Sequence, residues 1–248
     1  MTEREYRELL RERRRERRRI VRRNRRIAFS ILMVLVFLLG FLFGRGCGGS
    51  KKAEEEETEE EMTEEETEEE NDTLDSFLIT EFPDWIDEQF ITINQYSRPG
   101  YLVREINAVV IHYTGNPGTT AQQNHDYYEE LATTHEESVS SNFVVGLEGE
   151  IIACVPPGEV AYASNDRNGD TVSIETCHPD ETGEFTDETY DALVKLTAWL
   201  CDTYGLDPDD GGVIRHYDVT GKECPKYFVD NEDAWEQFLE DVADAMES

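Results

Sequence analysis

Seventeen consecutive residues, 27–43, carry no charge, and the run divides the chain into parts that cannot share one core. Before it, residues 1–26 hold thirteen Arg, five Glu and few apolar side chains. After it, residues 54–70 hold thirteen Glu, no base and almost nothing to bury. Neither flank can offset the conformational entropy of folding by burying apolar surface. Only from about residue 74 do apolar positions recur with the periods of strands and helices. The sequence therefore reads as five stretches: an Arg-rich segment over 1–26, an apolar segment over 27–44, a Glu-rich linker over 45–73, an extension over 74–104 and a globular domain over 105–248.

The apolar run is just long enough to cross a bilayer, which needs roughly 17–25 such residues in a helix. Gly44 lengthens it, and Arg25, Arg26 and Arg45 can extend their charged heads into the interface at either end. A cleaved signal peptide is the alternative. The long Arg-rich stretch before the run and the lack of a small-x-small cleavage site favour an uncleaved signal anchor, and Gly44-Arg45-Gly46-Cys47 places Arg where a lipobox needs a small residue. The Arg excess assigns the N-terminus to the cytoplasm and everything after residue 45 to the outside, giving a single-pass cell-membrane protein. Mutual repulsion among the Glu residues makes the linker a disordered, extended spacer. From Ser76 onward 36 acids face 7 bases. A domain so acidic repels phosphate, which excludes nucleic acid as its partner.

Within the domain, the apolar run 106–111 predicts a buried strand that ends at His112. Thr119 or Thr120 can cap a helix running to about Thr133, with Ala121, Tyr128, Leu131 and Ala132 inward. Residues 142–147 and 151–155 flank Glu148-Gly149-Glu150 as a hairpin, and 172–177 reads as a central strand. The clearest helix spans 186–204, capped by Thr186 and stopped by Gly205. Tyr190, Leu193, Val194, Thr197, Leu200, Cys201 and Tyr204 form its inward stripe. Val213-Ile214 is a short strand leading into a loop, and a last helix starts near Asp230 or Asn231 with Trp235, Phe238, Leu239 and Val242 inward. The fold class is α/β: one domain with a central mixed β-sheet flanked by helices, preceded by one transmembrane helix and a disordered acidic linker.

The loop Arg215-His216-Tyr217-Asp218-Val219-Thr220-Gly221-Lys222-Glu223-Cys224-Pro225 sets a His and a Cys eight residues apart. Neutral imidazole and thiolate are both good Zn²⁺ ligands, and catalytic zinc takes three protein ligands with a fourth position open. His112, at a strand end, is the best third ligand, because α/β proteins place their sites at sheet edges of this kind. Spacing alone leaves open a buried thiol near an unrelated histidine. His125 and His135 read as surface histidines, and Cys154, Cys177 and Cys201 as buried thiols, with a Cys154–Cys177 bridge left open. Parity along 172–175 sets Glu175 opposite the apolar Val172 and Ile174.

Three segments, Val109-Val110-Ile111-His112-Tyr113-Thr114-Gly115, Asp170-Thr171-Val172-Ser173-Ile174-Glu175-Thr176-Cys177 and the His216–Pro225 loop, resemble the type-2 zinc N-acetylmuramoyl-L-alanine amidases, which include amidase-type phage lysozymes and peptidoglycan recognition proteins. The resemblance covers about residues 92–245. It implies His112, His216 and Cys224 as metal ligands, Glu175 as catalytic base and Lys222 as a catalytic lysine that stabilises an oxyanion. The alternative for Lys222 is pairing with Glu223 or Asp218. Asp218 is either a partner that orients a ligand or a loop cap. At Ser141-Asn142-Phe143 many relatives carry Tyr-His or Ala-His before the aromatic residue, and Asn142 takes the substrate-contacting place there. The implied function is zinc-dependent cleavage of the bond between N-acetylmuramic acid and L-alanine in peptidoglycan by a domain facing the cell wall. A binding-only receptor on the same fold and a zinc peptidase acting on the stem peptide are the alternatives.

The anchor has a direct consequence. The full-length chain should pellet with membranes, and protease added to cells stripped of wall should release a soluble C-terminal domain while sparing the Arg-rich segment. Recovery of the domain in the medium, with a new N-terminus just after residue 44, would identify a cleaved signal peptide instead.

Overall fold

The computed structural model describes residues 81–247. The apolar segment and the linker lie outside the described residues, within which no helix is long and apolar enough to cross a membrane.

Six strands form one sheet: β1 (Asp87–Glu88), β2 (Ala108–Ile111), β3 (Phe143–Val145), β4 (Ile151–Ala153), β5 (Thr171–Thr176) and β6 (Val213–Arg215), in the order β1-β4-β3-β5-β2-β6. Only β3 and β4 pair antiparallel, joined by the expected turn, where Gly149 takes a positive φ of 82°. The other pairs are parallel, so the sheet is mixed. β2 is buried along its whole length, which is why its sequence Ala-Val-Val-Ile shows no polar alternation.

Two helices cover one face: α2 (Asp187–Tyr204) and α5 (Glu232–Ala245). Val109, Ile111, Phe143, Val145, Val172 and Ile174 meet Leu193, Leu196, Leu200, Phe228, Trp235 and Phe238 there. α1 (Ala121–Thr134) belongs to the other face, where Ala121 and Tyr128 cluster with Val144, Ile152, Cys154 and Cys177. The caps follow sequence. Thr120 accepts from Gln123 N and Gln123 reaches back in a capping box, while Thr186 accepts from Thr189 N. Gly205 ends α2 in the left-handed region. α2 buries Thr189, Leu196 and Ala198 besides the expected stripe, and its Tyr190, Val194 and Tyr204 are only partly buried. The stripe is wider than its periodicity implied because α2 packs between the sheet and α5.

Ahead of β2, Ile86, Ile91 and Val103 are buried, and Phe82 and Trp85 pack on Trp199. β1 lies in this stretch and extends the sheet beside β4. The expected loop after β6 begins instead as the short helix α3 (His216–Thr220), and a second short helix α4 (Lys226–Asp230) follows Pro225. Asp218 is the cause of α3: its carboxylate accepts from Arg215 N at 2.9 Å and from the Arg215 guanidinium, closing a turn on the strand end.

Phe238 is fully buried against Phe228, Trp235 and Tyr190. Phe238→Ala should cost about 3–5 kcal/mol of unfolding free energy, read by urea denaturation. A loss below about 1 kcal/mol would show that α5 does not close this core.

Candidate metal centre

The strand register sets the level of the site. Ile111 pairs with Ile174 of β5 and with Arg215 of β6. One residue further along three parallel strands come His112, Glu175 and His216, side by side at the C-terminal ends. The period of two turns His112 and Glu175 away from the α2 face, whose core holds Ile111 and Ile174. His112 Nδ1 lies 3.8 Å from Glu175 Oε1, and the His112 and His216 rings stand 4.5 Å apart. The ladder continues past β2, since His112 N donates to Ile174 O at 2.9 Å.

Cys224 comes from the loop. Tyr217 N donates to Cys224 O at 2.8 Å, folding the segment after α3 back on itself. Cys224 Sγ then sits 3.8 Å from His112 Nδ1. Arg215 holds the loop from below, with Nη1 donating to Phe228 O and Glu232 and its other nitrogens to Asp218. Asp218 is thus a cap for α3.

One ligand atom each from His112, His216 and Cys224 can be chosen so that all lie within 4.8 Å of one another, and all three residues are buried. Burial pushes His112 well down, with His216 and Lys222 adding to the effect. Burial and Lys222 lower His216. Burial raises the Cys224 thiol to about 12, with Glu175 adding, against the Tyr113 backbone N–H and Lys222. Burial raises Glu175 to about 8, opposed by Lys222. All four groups therefore favour their neutral forms at neutral pH. Two buried polar atoms, His216 Nδ1 and Glu175 Oε2, have no hydrogen-bond partner. Neutral imidazoles, a thiol able to ionise beside a cation and an unpartnered ring nitrogen are what a divalent zinc ion requires, so these residues fit it.

Lys222 is exposed and has no carboxylate within salt-bridge distance among the described residues: Asp218 belongs to Arg215, and Glu223 lies 3.7 Å from Lys226. Its charge still acts on His112, Glu175, His216 and Cys224. Asn142 lies apart from this group. It is fully buried, Nδ2 donates to Pro156 O and Glu159 O, and Oδ1 accepts from Ser173 N and Oγ. That places it in the framework that ties β3 to β5. His125, expected at the surface, is partly buried against Gln89 O, and His135 stacks on Tyr96. Cys154, Cys177, Cys201 and Cys224 are free thiols, so no bridge joins Cys154 to Cys177.

Three residues near the site escaped sequence reasoning. His112 Nε2 meets Ser164 Oγ at 3.1 Å, and His216 Nε2 meets Asn165 Oδ1 at 3.0 Å. Ser164 and Asn165 sit in a polar loop with no periodic signal. His178 is buried, stacks on Tyr113 and donates from Nδ1 to Asp180 O at 2.7 Å. It lies two residues beyond the end of β5.

A family model described as N-acetylmuramoyl-L-alanine amidase matches residues 102–227. The chain is similar to the N-acetylmuramoyl-L-alanine amidase CwlL of Bacillus licheniformis, 33% identical over 156 residues, which cover 57% of this chain and 42% of that protein. It is also similar to the N-acetylmuramoyl-L-alanine amidase BlyA of Bacillus subtilis (strain 168), 29% identical over 177 residues, covering 63% of this chain and 46% of that protein. The chain thus spans less than half the length of these curated relatives. Among solved structures, the catalytic domain of XlyA, a Bacillus subtilis protein, superposes with a TM-score of 0.53 at 24% identity, covering 63% of this chain and 98% of that one. At that identity the likeness is one of fold.

The full chain should bind one zinc per molecule, and Cys224→Ser should sharply weaken binding, because a hydroxyl replaces a thiolate poorly. Full occupancy in the variant, measured by metal analysis after dialysis, would remove Cys224 from the ligand set.

Proposed function

Because the chain belongs to the N-acetylmuramoyl-L-alanine amidase family, we propose that its folded domain is a zinc-dependent amidase hydrolysing the bond between N-acetylmuramic acid and L-alanine in peptidoglycan. The observation that carries this reading is the level arrangement of His112, Glu175 and His216 with Cys224 beside them. A binding-only protein has no need of an unpartnered carboxylate oxygen next to three side chains that could hold a metal ion.

His112, His216 and Cys224 would hold the ion. When bound, zinc supplies Lewis acidity, lowering the pKa of water and polarising a carbonyl. The chain's own residues handle the proton and the charge. Glu175 takes the proton of the attacking water and returns it to the leaving nitrogen, so that the amide C–N bond breaks and the L-alanine amine departs neutral. Burial alone favours the protonated form of Glu175, and a dication beside it would favour the carboxylate that a base needs. Lys222, exposed and with no carboxylate partner among the described residues, stabilises the oxyanion that develops on the carbonyl.

We further propose that the apolar segment 27–44 anchors the protein in the cell membrane with its N-terminus in the cytoplasm, and that the domain works on wall close by. The linker from residue 46 to residue 72 has 27 residues, a reach on the order of 90 Å when fully extended. An acidic domain on an acidic tether is repelled by anionic lipid headgroups within about 8 Å at physiological salt.

Mass spectrometry of digested sacculi tests the reaction. The expected products are stem peptides with a free L-alanine amine and glycan strands bearing unsubstituted lactyl groups. Cuts inside the peptide would make the protein a peptidase, and binding without release would make it a receptor. Glu175→Ala should retain the metal and lose roughly 10²–10⁴-fold in turnover. Near-normal turnover with metal retained would exclude Glu175 as the base.

A further inference from the structure

We propose that Ser164 and Asn165 form a two-residue clamp on both metal-ligating histidines, Asn165 fixing the tautomer of His216 and Ser164 holding the ring of His112, making them positioning residues for the ion. The inference rests on the zinc reading above and concerns what prepares the chain to bind.

A neutral imidazole carries one proton on one of two nitrogens, and only the bare nitrogen can ligate. His216 Nε2 lies 3.0 Å from Asn165 Oδ1. An amide oxygen only accepts, so the proton must sit on Nε2 and the lone pair on Nδ1. That Nδ1 is among the buried atoms left without a partner. His112 repeats the arrangement, with Nε2 3.1 Å from Ser164 Oγ and Nδ1 turned to Cys224 Sγ and Glu175. Two adjacent residues thus serve two histidines that arrive from different strands, β2 and β6.

The clamp is built without help from the histidines. Asn168 Oδ1 accepts from Ala163 N at 3.2 Å and from Ser164 N at 2.6 Å. Arg167 N donates to Ser164 O, and Asn168 N donates to Asn165 O. Thr171 Oγ1 donates to Arg167 O, tying the loop to the start of β5. Asn165 adopts a φ of 54°, the left-handed region that Asn tolerates better than most side chains. The loop therefore presents both oxygens at set positions before any ion arrives. Partners of this kind hold ring orientation and raise ligand basicity, and their loss typically weakens metal binding 10–100-fold. The Asn165 arm is the stricter, because a serine hydroxyl can also donate and so tolerates either tautomer of His112.

The left-handed backbone supplies a clean variant. Asn165→Gly removes the acceptor while keeping φ unstrained, and Asn165→Asp keeps an acceptor oxygen. Zinc affinity of the full chain, purified in detergent, would be measured by competition with a chromophoric chelator, alongside the visible spectrum of the cobalt-substituted protein and the melting of the metal-free protein. Asn165→Gly should weaken zinc binding by about 10–100-fold and alter the cobalt spectrum with metal-free melting unchanged. Asn165→Asp should bind zinc at least as tightly as the parent, and Ser164→Ala should weaken it less than Asn165→Gly. Parent-like affinity and spectra in both Asn165→Gly and Ser164→Ala would overturn the clamp, as would weakening that Asn165→Asp does not reverse. A parent chain that binds no zinc would fail earlier, at the zinc reading itself.

Discussion

The parallel register of β5, β2 and β6 is the constraint on which the rest of the structure depends. β2 and β6 end at one level, and their next residues, His112 and His216, come level with Glu175 on β5. A slip of one residue in β2 or β5 would turn His112 or Glu175 into the α2-facing core and bring Ile111 or Ile174 to the site. The apolar packing of Val109, Ile111, Val172 and Ile174 against α2 and α5 is thus what holds the chemistry in place.

Against that edge, burial does most of the electrostatic work. Desolvation is the largest cause of every shift at the site, pushing both histidines down and both Cys224 and Glu175 up. Before an ion binds, the cluster can stay neutral and tolerate its interior position. A dication reverses the preference of the thiol, so binding is coupled to proton release. Lys222 acts on all four groups from the surface, and Arg215 secures the loop that carries Cys224.

Much of this was legible in sequence because it is written in local patterns. Val109-Val110-Ile111 announced a buried strand, Thr186 and Gly205 bracketed α2, and the parity of Ser173 and Glu175 fixed which way Glu175 faces. His112, His216 and Cys224 were marked by residue type and by family resemblance, and they converge in space. The less legible parts depend on tertiary contacts. Ser164 and Asn165 matter only because two distant strands deliver histidines to them. The resemblance alone suggests a substrate contact at Asn142, and no local pattern announces that its amide bridges β5 to the chain after β4. The two-residue strand β1 and the helix α3 are too short to leave a period, and α3 exists because Asp218 caps it.

The central claim is that the chain folds into a ready site for one zinc ion made of two imidazole nitrogens and one thiolate. X-ray absorption at the zinc edge of the metal-loaded protein tests it most directly. The account predicts one sulfur scatterer at about 2.3 Å and nitrogen scatterers at about 2.0–2.1 Å whose multiple scattering fits two imidazoles. A zinc shell of nitrogen and oxygen alone, with no sulfur, would contradict it.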